Sequence, residues 1–270
     1  MVGQEEVRSG VPAGVIDIDG TAMRGQLCIL YIEELVNQGL LPRIILTSIK
    51  DVRESYDKRN GPFSRYIDAF VEAYSSDERL KGLRVSDARI VAKHVVEQFG
   101  KRVHVFPREF ALAAHDIGMP TGIISGSPSE VVAQFAATLK IDRFLGTEWP
   151  EVNGRYTGGK QIQWCLEKDV AIRHLAKLGD WDLSRSVAIG DSGGDIRMLL
   201  SVGYPICFNP ERVLLRVARE KRFPIVIEKK NVHFVFRPDE NGELKEVGLS
   251  KILPPDICVA LAQRLSSVNW

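Results

Sequence analysis

The chain has 270 residues, 44% of them hydrophobic, enough to bury a full core in one large domain or in a core with a smaller insert. Its 36 lysines and arginines against 35 aspartates and glutamates leave a formal charge of +1, which argues against nucleic acid or a membrane surface as a partner and makes any electropositive site a local one. Four cysteines, Cys28, Cys165, Cys207 and Cys258, lie in or near apolar stretches without metal-type spacing and read as reduced thiols, and no apolar run has signal-peptide or membrane-span length, so a cytoplasmic protein is expected.

Short apolar runs alternate with helical periodicity, the pattern of an α/β protein whose largely parallel sheet is covered on both faces by helices. The first expected strand, VIDI at 15–18, runs into Asp17-Ile18-Asp19-Gly20-Thr21. About a hundred residues follow without a comparable strand. They read as helices, CILYIEELVNQG at 28–39, RIILTSIKDVRESYDKRNG at 43–61, FSRYIDAFVEAY at 63–74, DARIVAKHVVEQFG at 87–100 and PREFALAAHDIG at 107–118, several of them bounded by Gly or Pro. A helical insert over 25–105 is therefore expected within a discontinuous core of residues 1–24 and 106–270.

Chain order then brings the strand TGIIS at 121–125 and the segment Ser125-Gly126-Ser127-Pro128-Ser129-Glu130 ahead of a helix. Ser127, Pro128 and Glu130 fit the N-cap, N1 and N3 positions of a capping box. That pattern leaves Ser125 and Gly126 over, a hydroxyl and a free amide where a helix N-terminus can seat a phosphate. Lys168 opens the next helix, KDVAIRHLAKLG, against the helix dipole, which calls for an anion nearby; Lys160 in TGGK is the competing lysine. The strand SVAIG at 186–190 leads into Gly190-Asp191-Ser192-Gly193-Gly194-Asp195, where Asp195 can cap a helix but Asp191 has no such role. YPICF at 204–208 and PIVI at 224–227 complete the expected core strands, and 232–247 reads as a hairpin turning at Glu240, Asn241 and Gly242.

Ligands collect at the carboxyl ends of parallel strands, where this order places Asp17, Asp19, Ser125 and Asp191. Several carboxylates in one cleft repel one another unless a cation is present, and an oxygen-only set without His or Cys selects a hard ion, Mg2+ above others.

In these motifs, DIDGT, IISGS, Lys168 and GDSGGD, the sequence resembles the haloacid dehalogenase-like hydrolases over most of residues 12–228. Lys168 stands 23 residues before Asp191 and Lys160 stands 31 before it, and the shorter interval suits the family's lysine. The insert is similar to the helical cap of the phosphoserine phosphatase-like branch, and 145–158 and 207–227 are similar to its return hairpin and its segment containing Asn-Pro. The resemblance implies a Rossmann-like three-layer α/β/α core with an inserted helical cap, and a phosphatase acting on a small-molecule phosphate monoester. In that scheme Asp17 is the nucleophile that becomes a phosphoaspartate, and Asp19 protonates the leaving alcohol and then activates water. Ser125, Lys168 and the Gly126 amide hold the phosphoryl oxygens, and Thr21 braces the first loop. Mg2+ is held by Asp17, the carbonyl of Asp19 and Asp191, with Asp195 holding a metal water or orienting Lys168. A phosphotransferase or phosphomutase would use the same Asp17 with an acceptor other than water, and a non-catalytic phospholigand-binding protein is the weaker alternative, since both aspartates are intact. Arg24 and Gln26 lie where cap and core should meet and could touch the leaving group. Gln26 is also the nearest equivalent of the acid that meets the substrate ammonium in phosphoserine phosphatases, and an uncharged amide would hold an ammonium less well.

Overall fold

Side chains alternate across the central strands and so divide the core in two. In a computed structural model that describes residues 10–58, 60, 63–75, 77–158, 161–230 and 232–268, Ile16, Ile123, Ile189 and Ile206 face one apolar cluster, and Val15, Ile124, Ala188 and Cys207 face another. The sheet is thus buried on both faces, as continuous apolar runs require.

The strands are β1 (Gly14–Ile16), β2 (Thr121–Pro128), β3 (Arg143–Glu148), β4 (Glu151–Val152), β5 (Arg155–Tyr156), β6 (Ile162–Gln163), β7 (Val187–Gly190), β8 (Tyr204–Phe208), β9 (Ile225–Lys229), β10 (Val232–Pro238) and β11 (Leu244–Glu246). The helices are α1 (Leu27–Asn37), α2 (Ile44–Ser48), α3 (Lys50–Asp57), α4 (Phe63–Ser75), α5 (Asp77–Leu80), α6 (Val85–Phe99), α7 (Val105–Asp116), α8 (Ser129–Thr138), α9 (Lys168–Gly179), α10 (Ile196–Leu199), α11 (Arg212–Lys221) and α12 (Pro255–Ser267). Strand order in the main sheet is β11-β10-β9-β8-β7-β1-β2-β3-β6, with β4 and β5 forming a separate ribbon. From β9 across to β3 the pairing is parallel, and β10, β11 and β6 add antiparallel edges. The chain leaves β1 toward β2 on one side and later returns to β7 on the other, so the carboxyl end of β1 lies at a topological switch point.

The expected elements recur with local changes. The helix expected over 43–61 is two helices that meet at Ile49, which has left the helical ψ range, and Gly61 lies outside the described residues. The strand expected to end at Ser125 runs on to Pro128, with its register to β3 shifting between Ile124 and Pro128. The hairpin at 232–247 is an edge extension that pairs β10 to β9 and β11 to β10.

Helices α1 to α6 lie between β1 and the return of the chain at α7, which packs beside β1 and β2 and against α12. Among the described residues the insert shares its core with the sheet. Tyr31 and Leu35 of α1 and Val91 and Val95 of α6 share one buried cluster with Ile16, Ile123 and the α8 residues Val131 and Phe135. Among the described residues no helix is long and apolar enough to cross a membrane.

Candidate active site

Asp17 directly follows β1, and its amide continues the ladder by donating to the Ile189 carbonyl at 3.0 Å. The next six residues fold back on that strand end, with the Ala22 amide bonded to the Asp17 carbonyl and the Met23 amide to that of Ile18. Gly20 sits in this turn at φ +89, where a Cβ would lie 2.2 Å from Asp191 Oδ2. Both the backbone angle and the closeness of Asp191 therefore demand glycine.

The two aspartates of this loop have different surroundings. Asp17 is buried, and its Oδ1 accepts from Lys168 Nζ at 2.6 Å. Asp19 Oδ2 accepts from the hydroxyls of Ser125 at 3.1 Å and Ser127 at 2.8 Å, and its Oδ1 accepts from the Leu27 amide at the start of α1. Burial pushes the Asp19 carboxyl up, against the downward pull of those three donors.

Lys168 is itself buried at the start of α9 and is shared, with Nζ 2.6 Å from Asp195 Oδ1 as well. Burial alone would lower a lysine, but Asp17 and Asp195 more than reverse it and keep the ammonium charged. Asp195 in turn is braced through Oδ2, which accepts from the amides of Asp191 and Ser192 at 3.1 and 2.9 Å and from the Ser192 hydroxyl at 2.9 Å. Asp191 Oδ1 accepts from Thr21 Oγ1 at 3.1 Å. Thr21 is fully buried, which makes it a brace between the β1 and β7 loops.

Two carboxylates thus hold the ammonium directly, with those of Asp191 and Asp19 nearby. Burial, against Lys168, and then the neighbouring acids push Asp17 well up, and burial and Asp195 push Asp191 to about 7. Asp17, Asp191 and Asp195 each bring one oxygen within 4.8 Å of the others. The excess of negative charge and the all-oxygen donor set fit a hard divalent cation. Asp17 and Asp191 are the ligands best placed for it, since Asp195 already spends both oxygens on Lys168 and the Ser192 turn. The Asp19 carboxyl stands outside this group.

The structure therefore brings together Asp17, Asp19, Thr21, Ser125, Lys168, Asp191 and Asp195. Gly126 lies beside them, where a Cβ would meet Cys165 Sγ at 3.3 Å. Lys160 lies outside the described residues. Arg24 turns to Glu228, its Nη2 2.9 Å from Oε1, and half-buried Gln26 precedes α1.

Ser127 is the residue that the capping pattern hid. It does not cap α8, whose first residue follows Pro128 and which has no side-chain cap, and the Glu130 carboxylate bonds Tyr156 instead of closing a box. Because the strand continues past Ser125 to Pro128, Ser127 and Ser125 lie two residues apart on it and reach the same carboxylate oxygen of Asp19. The Ser-Gly-Ser spacing, read with period 2, was the available signal.

Comparison with known proteins gives three results. The model of the haloacid dehalogenase-like hydrolase family matches residues 15–200. Among curated proteins, the "Inhibition of morphological differentiation protein" of Streptomyces azureus is 38% identical over 42% of this chain and 41% of its own. "Phosphoserine phosphatase SerB1" of Mycobacterium tuberculosis is 31% identical over 54% of this chain and 51% of its own, so the chain spans about half the length of these relatives. Among solved structures, a protein of unknown function from Bordetella pertussis Tohama I superposes with a TM-score of 0.64 at 16% identity, covering 82% of this chain and 99% of its own. A phospho-aspartyl intermediate analogue of phosphoserine phosphatase gives 0.53 at 18%, covering 82% and 95%. Both support the fold.

Proposed function

Because the chain belongs to the haloacid dehalogenase-like hydrolases, we propose that it hydrolyses a small-molecule phosphate monoester through a phosphoaspartate on Asp17. One observation carries this reading. Two aspartates a single residue apart stand in opposite settings, Asp17 on an ammonium and Asp19 among hydroxyl and amide donors.

The Asp17 carboxylate attacks phosphorus while Asp19 gives its proton to the departing alkoxide, so the P–O bond breaks and an alcohol leaves. Asp19, now anionic, takes a proton from the water that attacks the phosphoaspartate. Inorganic phosphate departs and both carboxyls are restored. Burial favours the protonated Asp19 that the first half needs, and the three donors steady the anion that the second half needs. Lys168 and the Ser125–Gly126 segment meet the charge on the phosphoryl oxygens. Asp17, Asp191 and the Asp19 carbonyl, with Asp195 behind them, would hold Mg2+, which supplies the positive charge that lets an anionic nucleophile approach an anionic ester.

The insert, residues 25–105, acts in this reading as a cap that selects the leaving group. Arg24 is engaged by Glu228, which leaves Gln26 as the residue at the crossing for that contact. The "Phosphoserine phosphatase" names among the relatives put phosphoserine in the test panel, whereas the neutral Gln26 favours esters without an ammonium at that point. The test is phosphate release from phosphoserine, phosphocholine, glycerol phosphates, sugar phosphates and nucleotides, with Mg2+ and with EDTA. Turnover of at least one ester with Mg2+, lost with EDTA and in Asp17→Asn, is the expected result. Normal turnover in Asp17→Asn rejects the mechanism, and added alcohols distinguish transfer from hydrolysis.

A further inference from the structure

The two chain crossings between sheet and insert meet at one buried carboxylate. The outgoing crossing passes through Met23 and Arg24 and the returning one through Arg102, Val103 and His104. They run side by side, with the Arg24 amide donating to the Arg102 carbonyl at 2.7 Å, the His104 amide to that of Ala22 at 2.9 Å, and Met23 bridged to Val103. Glu228 of β9 reaches both. Its side chain is 1% exposed, Oε1 accepts from Arg24 Nη2 at 2.9 Å and from His104 Nδ1 at 3.2 Å, and Oε2 accepts from the Phe106 amide at 2.9 Å. Asn209 fixes Glu228 from behind, accepting its amide through Oδ1 at 2.8 Å from a backbone at φ +40.

An exposed ion pair contributes little by itself. This acid differs because it is buried and its donors come from both crossings. The outgoing crossing is also short. Three residues beyond Arg24 the Leu27 amide holds Asp19 Oδ1, so the segment 24–27 is tied to Glu228 at one end and to Asp19 at the other. We infer that Glu228 is a positioning residue, which seats the insert on the sheet through Arg24 and His104 and thereby places the Leu27 amide on Asp19. This rests on the hydrolytic mechanism proposed above.

The test compares Glu228→Gln, Arg24→Gln and the double variant with the wild type, using an ester from the panel that the wild type hydrolyses and hydrogen–deuterium exchange of the full chain. In each single variant kcat is expected to fall about tenfold with KM within about threefold, and exchange to quicken at 23–27 and 102–106 while β7 and β8 stay protected. The double variant is expected to lose no more than the worse single one, as two members of one contact should. Unchanged kcat, an effect on KM alone, or exchange quickening equally in β7 and β8 would overturn the inference, the last by making Glu228 a general stabiliser. Additive losses would overturn it too, by giving Arg24 a separate role on substrate. Arg24 is half exposed, so its variant carries the test if Glu228→Gln does not fold. If the wild type releases phosphate from no ester, the hydrolytic mechanism fails by itself, and the exchange comparison still decides whether Glu228 holds the crossings.

Discussion

Ser127 Oγ donates to Asp19 Oδ2 at 2.8 Å, the same oxygen that Ser125 reaches at 3.1 Å. In the proposed mechanism proton transfer depends on where this carboxyl points, so losing one of its two hydroxyl donors should be felt in turnover more than in folding. Ser127→Ala is expected to lower kcat about tenfold, with a thermal midpoint close to the wild type. Steady-state kinetics and a thermal melt check both halves of the prediction.

Asp191 is pushed up to about 7 by burial and by Asp195. Below that pH the metal-free site holds a proton that an incoming cation must displace, so apparent Mg2+ affinity should fall as the pH drops through about 7. Titration calorimetry at several pH values measures this. Mg2+ should also raise the melting temperature of the wild type by mass action, and should not raise that of Asp191→Asn.

Lys168 is the single ammonium between Asp17 and Asp195, and all three side chains are buried. Removing it strands two carboxylates out of water. Lys168→Met should lose about 3 kcal/mol of unfolding free energy at neutral pH in addition to activity. Urea denaturation reads the loss, and a cost below about 1 kcal/mol would mean that the two acids simply take up protons in place.

Glu228 is shifted in the opposite direction to Asp191. Burial alone would raise it, but His104, the Phe106 and Val105 amides and Arg24 outweigh that and hold it at about 2. A carboxyl depressed on folding contributes stability that is complete above its unfolded pKa and disappears as the pH falls through its folded one. The wild type should therefore lose about 3 kcal/mol relative to Glu228→Gln between about pH 4.5 and 2. Denaturant midpoints of the two proteins across that range decide it.

The central strands were legible because each is an apolar run that needs burial on both faces, and β1, β7, β8 and β9 fall within a residue or two of where VIDI, SVAIG, YPICF and PIVI place them. β3 escaped notice because only Leu145, Gly146 and Thr147 of its six residues are buried. In the candidate site, Asp17, Asp19, Ser125, Lys168 and Asp191 stand out at strand and helix ends. Ser127 was masked by a local pattern, Ser-Pro-x-Glu, that a helix could also have used. Glu228 had no local signal at all, since the partners of its carboxylate lie 122, 124 and 204 residues away and only the tertiary fold introduces them.

The seam between α6 and α8 limits how, in the proposed function, the choice of substrate can be altered. The two helices pack together, Val91, Val95, Val131 and Phe135 all belong to the one buried cluster, and Phe135 sits on the helix that directly follows the Ser125–Ser127 end of β2. A chimera that exchanged residues 25–105 for a foreign insert would strip the apolar cover from α8 and disturb the strand end that orients Asp19. Changes of specificity are therefore better sought by substitution inside the existing insert than by grafting, and the insert and the sheet should melt in a single cooperative transition.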